Sequence, residues 1–176
     1  MNKKKEPIKF LIMDVDGTLT NGRIYMGPNG EAMKAFDIKD GYGIHDILPN
    51  IGVEPVILTG RFSEIVIRRC NELGIKYVMQ GVKDKLSKLK DFISGKNVTF
   101  KNVAYIGDDL NDMPCMMAIL TGGGLVGCPK DAVKEVRLKA NVKCKSNGGQ
   151  GAVREFIEYL GDYNKKTIVY NGEIVK

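Results

Sequence analysis

The sequence predicts an α/β fold: a Rossmann-like, doubly wound parallel sheet in one domain of a 176-residue chain. Two observations predict it. Short apolar runs alternate with capped or amphipathic helical stretches along most of the chain. Three of those runs end in polar groups: Asp14-Val15-Asp16, Thr59-Gly60 and Gly107-Asp108-Asp109. In open parallel sheets ligands bind beyond the carboxyl ends of the strands, where the strand order reverses. Three weak motifs at one end of one sheet make a single site.

The first strand is read from Ile8 to Val15, a short apolar run closed by a turn signal and buried on both faces. Asp14 and Asp16 then lie two residues apart and point to the same side. Asn21-Gly22 turns the chain into Arg23-Ile24-Tyr25-Met26. Gly27-Pro28-Asn29-Gly30 is a turn signal, and 32–36 pairs back as the second strand of a small β-hairpin flap. Asp40 is the candidate N-cap of a helix running to about Ile51. Glu54 to Leu58 is the next strand. Ser63 caps a helix through Leu73, and Gly74 ends it. Tyr77-Val78-Met79 is a short strand, and 83–94 is an amphipathic helix with Leu86, Leu89 and Ile93 on one stripe. Val103 to Ile106 is a strand followed by a helix to about Leu120. A glycine-flanked strand at 122–127, a helix at 131–138, an extended stretch at 142–144 and a last helix at 151–160 complete the domain, 8–160. Residues 1–7 read as a disordered basic tail, and 161–176 as a C-terminal tail or lid segment, either an extra hairpin or disordered.

Composition narrows the classes. With 43% hydrophobic and 27% charged residues the chain reads as an ordinary globular protein. It has no apolar run near the roughly 20 residues of a membrane span, and no secretory leader, so a cytoplasmic location is expected. The four cysteines have no C-x-x-C spacing and there is one histidine, which disfavours zinc and suits buried, reduced thiols. The net charge of +6 comes from dispersed lysines without a basic, aromatic-interleaved run, so nucleic acid is not the expected partner.

Paired carboxylates at the end of a core strand need something to offset their repulsion, and a divalent cation with oxygen ligands does so. Mg²⁺ suits carboxylates that also face a substrate phosphate. In this reading Asp14 is the nucleophile toward phosphorus. Mg²⁺ is held by Asp14, Asp108 and a backbone oxygen near Asp16, with Asp109 or Asp112 holding the shell. Asp16 protonates the leaving oxygen and then activates water. Thr59 and the Gly60 amide bind phosphoryl oxygens, and Lys85 adds a point charge. No nucleotide-binding glycine loop is present, so the phosphoryl group is expected to end on water.

Asp14-Val15-Asp16-Gly17-Thr18, Leu58-Thr59-Gly60-Arg61, Lys85 and Gly107-Asp108-Asp109-Leu110-Asn111-Asp112 resemble the four motifs of the haloacid dehalogenase (HAD) superfamily of phosphatases. A narrower resemblance, to the phosphatases of 3-deoxy-D-manno-octulosonate 8-phosphate and of nonulosonate 9-phosphates, rests on four stretches. They are Lys39-Asp40-Gly41-Tyr42-Gly43-Ile44, Gln80-Gly81-Val82-Lys83-Asp84-Lys85, Tyr105-Ile106-Gly107-Asp108-Asp109 and Gly148-Gly149-Gln150-Gly151-Ala152-Val153-Arg154-Glu155. The resemblance implies Mg²⁺, Asp14 as nucleophile, Asp16 as acid and base, a homotetramer, and a place in lipopolysaccharide biosynthesis. Thr18 and Asn21 depart from the valine and aspartate more usual there. Neither the Asp16–Thr59 gap nor the Gly60–Lys85 gap has room for a cap domain, so the fold is expected capless, with the hairpin roofing a neighbouring subunit's site.

Arg61 follows the phosphate-binding pair, and Arg69 lies eight residues on, close to a whole number of helical turns. Both are therefore candidates for binding a second anion of the substrate, a carboxylate. Arginine at position 61 resembles the octulosonate branch. The alternatives are a nonulosonate 9-phosphate phosphatase and a non-catalytic module partnering a cytidylyltransferase.

Overall fold

A computed structural model of the chain describes residues 6–170 and 173–174. The order of the sheet follows from β1 (Phe10–Met13), whose four residues are all buried. It is flanked by β4 (Glu54–Leu58) on one side and β6 (Val103–Ile106) on the other, both parallel to it. Met13 is in register with Ile57 and with Ile106. Beyond β4 lies β5 (Tyr77–Met79); beyond β6 lie β7 (Leu125–Cys128) and β8 (Val142–Lys143). The six-stranded order β5-β4-β1-β6-β7-β8 reverses direction at β1. The chain winds outward from β1 first through β4 and β5, then through β6, β7 and β8. The switch point therefore falls between β1 and β6.

Alternation along β1 divides the core in two. Leu11 and Met13 point into a cluster with Ile44, Leu48, Val66, Cys70, Phe156 and Leu160. Phe10 and Ile12 point the other way, to Leu89, Cys115, Met116, Ile119 and Val136. One face is thus covered by α1 (Ile38–Tyr42), α3 (Glu64–Glu72) and α7 (Ala152–Tyr163). The other is covered by α4 (Lys85–Ser94), α5 (Met113–Thr121) and α6 (Lys134–Lys139). The parallel sheet wound on both faces agrees with the expectation from the sequence.

Details differ. The helix expected to start at Asp40 starts at Ile38, capped by Asp37, whose carboxylate accepts from Lys39 N at 2.7 Å and Asp40 N at 3.2 Å. It continues as a π-helical stretch, Gly43–Ile47, and ends in α2 (Leu48–Asn50). Asp40 falls inside the first turn and turns across to α7, accepting from Arg154 N at 2.7 Å and Gly151 N at 3.3 Å. Gly151 has no side chain with which to cap α7, so Asp40 caps it from another element. Lys83 and Asp84 precede α4, with Asp84 as its N-cap.

The flap is present as β2 (Tyr25–Gly27) and β3 (Gly30–Met33), with a bulge between Tyr25 and Met26. The segment after Leu160 continues α7 to Tyr163; β9 (Val169–Tyr170) and β10 (Glu173–Ile174) then pair antiparallel. Most of the expected disordered tail, 1–5, lies outside the described residues. Asn164, just past α7, clasps the start of β1: Ile8 N donates to Asn164 Oδ1 and Asn164 Nδ2 donates to Ile8 O, both at 2.9 Å. All four cysteines are free and buried. Among the described residues no helix is long and apolar enough to cross a membrane.

Candidate active site

Asp14 extends β1 by one residue: its N–H still bonds Ile106 O, at 3.1 Å. Its carboxylate therefore emerges at the switch point, and Asp108, two residues past the end of β6, emerges beside it. Gly17 makes the close approach possible. It has φ +96°, and a Cβ there would overlap the Asp108 carboxylate. Oxygens of Asp14, Asp108 and Asp112 all lie within 4.8 Å of one another.

Lys85 enters from the first turn of α4 and is almost fully buried. Its ammonium donates to Asp14 Oδ1 at 2.8 Å and to Asp112 Oδ1 at 2.7 Å. Tyr105 OH donates to the same Asp112 oxygen at 2.6 Å. Asp112 Oδ2 accepts from the backbone N–H groups of Asp108 (3.0 Å) and Asp109 (3.3 Å). Asp112 is thus a fully engaged buried carboxylate that shapes the β6 loop and anchors Lys85. The Thr18 hydroxyl donates to Asp108 Oδ1 at 2.8 Å.

This crowding shifts the titrating groups. Burial, then the neighbouring Asp112 charge, push Asp14 up to about 6 despite the opposing pull of Lys85. Burial pushes Asp108 up to about 7; the Thr18 hydrogen bond opposes it, and Asp14 and Asp112 reinforce it. Burial works against the charge of Lys85, but Asp14 and Asp112 outweigh it and hold the ammonium above the ordinary lysine range.

The donor set fits a hard divalent cation. Asp14 and Asp108 offer oxygens, no sulfur or imidazole belongs to the group, and the one ammonium contacts two of its three carboxylates, Asp14 and Asp112. The carboxylates of Asp16 and Asp109 lie outside that group; at Asp16 the expected ligand is a backbone oxygen, and of Asp109 and Asp112 it is Asp112 that joins the group. The Asp16 side chain turns to Lys34 and Arg61. Asp109 is exposed, its Oδ1 accepting from its neighbour Leu110 N at 2.7 Å.

Thr59 and Gly60 follow β4 at the same end of the sheet. Thr59 is buried, its N–H bonding Met79 O and its C=O accepting from Val82 N. A Cβ at Gly60 would meet only Val82 O, at 3.7 Å. Arg61 is brought to the site: its Nε lies 3.6 Å from Asp16 Oδ2 and its Nη2 3.3 Å from Glu31 Oε1. The expectation that Arg61 and Arg69 share a helix face is corrected. Arg61 precedes α3, in a loop that Gln80 pins through Ser63 N at 3.0 Å, so helical spacing does not relate the two. Arg69 instead pairs with Glu72 at 2.9 Å and lies over the Phe36 ring.

Four participants escaped the sequence reading. Thr18 and Tyr105 stand inside the motifs that carry the resemblance, but the sequence assigns neither a role. The place of Tyr105 seven residues before Asp112, across the β6–α5 turn, is a signal in hindsight. Glu31 and Lys34 sit in the hairpin, and nothing local announces that their side chains fold back on Asp16, Arg61 and Ser63.

No protein-family model matches the chain. The 3-deoxy-D-manno-octulosonate 8-phosphate phosphatase KdsC of Escherichia coli is 43% identical over 157 residues, 89% of this chain and 81% of that protein. The crystal structure of the phosphatase of that name from Yersinia pestis matches with a TM-score of 0.83 at 38% identity, over 90% of this chain and 83% of that one. The structure from Moraxella catarrhalis, in complex with magnesium ion, phosphate ion and a KDO molecule, matches with a TM-score of 0.82 at 35% identity, over 89% and 87%. At this identity and coverage, the chain belongs to the 3-deoxy-D-manno-octulosonate 8-phosphate phosphatases, phosphoric monoester hydrolases of the HAD superfamily.

Proposed function

We propose that this chain hydrolyses 3-deoxy-D-manno-octulosonate 8-phosphate through a phosphorylated Asp14. The observation that carries the reading is the convergence of Asp14, Asp108 and Lys85 at the switch point. An Asp14 oxygen attacks phosphorus, and the bond to the C8 oxygen breaks. Asp16 delivers a proton to that oxygen. Asp16 then takes a proton from water, whose oxygen attacks the acyl phosphate, releasing inorganic phosphate and restoring Asp14. Thr59 and the Gly60 amide hold the phosphoryl oxygens, and Lys85 keeps Asp14 oriented. Asp14, Asp108 and a backbone oxygen near Asp16 would hold Mg²⁺, with Asp112 supporting them. When bound, the ion offsets the repulsion between an anionic nucleophile and an anionic ester. Arg61, half-exposed at the mouth, reads the carboxylate of the sugar acid.

The same reading includes the assembly and the compartment. Met26 and Met33 on the hairpin are 68% and 59% exposed, a large fraction for apolar side chains on so small an element. We place them against a neighbouring copy in a homotetramer, the hairpin completing that copy's roof. Free, buried cysteines suit the cytoplasm.

The test is phosphate release with Mg²⁺ from octulosonate 8-phosphate, nonulosonate 9-phosphates, simple sugar phosphates and a phosphorylated oligonucleotide. Preference for the 8-phosphate by at least tenfold in kcat/KM is expected. Equal rates across the panel, or preference for a 9-phosphate, would remove the substrate assignment. Sedimentation of a fully active monomer would remove the tetramer.

A further inference from the structure

The hairpin closes a ring of alternating charge over its own chain's site. The Lys34 ammonium contacts Asp16 Oδ1 and lies 2.9 Å from Glu31 Oε1. Arg61 lies 3.6 Å from the other Asp16 oxygen and 3.3 Å from the same Glu31 oxygen. The Ser63 hydroxyl donates to Glu31 Oε2. Each of the four charges thus touches two of opposite sign. The members differ in exposure: the Lys34 side chain is 1% exposed and Arg61 43%. Solvent screens the arginine more than the lysine. Strands of three and four residues do not hold a hairpin in place unaided, so the ring also ties the flap down.

From this geometry we infer that Lys34 is a positioning residue for the reaction: it holds the Asp16 carboxylate where the leaving oxygen and the attacking water pass. Asp16 lies in the loop beyond β1, next to a glycine with φ +96°. It does not share the rigid strand placement of Asp14. Removing Lys34 leaves the Asp16 and Glu31 carboxylates facing each other across a single, exposed arginine. This inference rests on the assignment of Asp16 as acid and base.

The test uses two esters that need Asp16 differently. Octulosonate 8-phosphate releases an alkoxide, which requires a proton as the P–O bond breaks. p-Nitrophenyl phosphate releases a nitrophenolate that departs with the electron pair and needs none. In Lys34→Met, kcat on the sugar ester is expected to fall roughly 10–100-fold, at and below the low end of general acid–base effects because Asp16 itself remains, with KM changed less than about threefold. With the nitrophenyl ester, Asp14 is still phosphorylated but water activation is slow, so quenched protein carries a phosphoryl group detectable by mass spectrometry. Lys34→Arg restores most of the rate. An unchanged kcat, a loss confined to KM, or an arginine variant no better than methionine would each overturn the inference. If Lys34→Met does not fold, Lys34→Gln removes the same charge with a polar side chain, and an unchanged kcat there overturns it as well. A wild-type chain inactive on both esters would instead fell the phosphatase reading itself.

Discussion

The Thr18 hydroxyl donates to Asp108 Oδ1 at 2.8 Å, joining the loop after β1 to the loop after β6 across the switch point. One residue of the pair is the proposed cation ligand; the other only aims it. Thr18→Val keeps the shape and removes the donor. The half-saturating Mg²⁺ concentration for activity is expected to rise about tenfold, the lower end of effects from residues that orient ligands. An unchanged Mg²⁺ requirement would mean the backbone alone fixes Asp108.

Asp14→Asn separates chemistry from stability. The attacking charge disappears, so turnover is expected to fall by roughly four orders of magnitude or more. The metal-free fold should survive or gain, because burial and the Asp112 charge push Asp14 up to about 6, and keeping it ionised above that pH costs stability. Thermal melts in EDTA at pH 7.5 check this. A melting temperature several degrees below wild type would show that the Lys85 pair outweighs the cost of burying the charge.

Stability without metal should depend on pH in a defined direction. Asp14 at about 6 and Asp108 at about 7 both lie above the unfolded value of 3.8. The folded chain binds these protons more tightly, so the associated stability is fully present below about 3.8 and is lost as pH rises through 6 and 7. In EDTA the melting temperature is expected to fall between pH 5.5 and 8. Mg²⁺ should raise it strongly at pH 8 and little at pH 5.5, where protons compete for the same oxygens. Equal Mg²⁺ shifts at both pH values would contradict the assignment.

Asp40 offers a purely structural counterpart. Its carboxylate caps α7 through Arg154 N and Gly151 N. Asp40→Ala is expected to cost about 1–2 kcal/mol, read as a lower urea midpoint at unchanged slope. At 20 °C kcat should stay within about twofold. A large loss of kcat with an unchanged midpoint would place Asp40 in the chemistry instead.

Arg61→Ala should discriminate between substrates. Loss of a charged contact to the substrate carboxylate costs on the order of 1.5–3 kcal/mol, roughly tenfold to a hundredfold in kcat/KM for the sugar acid. p-Nitrophenyl phosphate, which has no carboxylate, should be much less affected. Equal losses on both would mean that Arg61 acts through the phosphate or through its contact with Asp16, and not through the substrate carboxylate.

What was legible in the sequence was what local pattern encodes. The strand ends at Asp14, Thr59 and Asp108 follow from apolar runs that stop abruptly, and a parallel sheet brings such ends together. The Asp37 cap was missed because Asp37 and Asp40 are both reasonable caps, and tertiary contact with α7 chose between them. Arg61 and Arg69 share no helix face because helical spacing holds only beyond the Ser63 cap, and Arg61 lies two residues before it. Lys34 was invisible for a different reason. A lysine ending an exposed hairpin reads as a solvated charge, and only the direction in which the hairpin folds, a long-range property, brings it to Asp16.

The Asn164 clasp has a consequence for how the domain tolerates being joined to other things. It fastens the exit of the last helix to the entrance of the first strand with two reciprocal amide bonds. Topologically the domain is close to a closed loop. Joining 8 to 164 by a short linker and reopening the chain at the exposed turn near Lys96 would give a circular permutant with the strand order unaltered. The clasp also sits at the amino end of β1, at the opposite end of the strand from Asp14. A fusion or an immobilisation tether attached there leaves from the floor of the molecule and keeps the mouth clear.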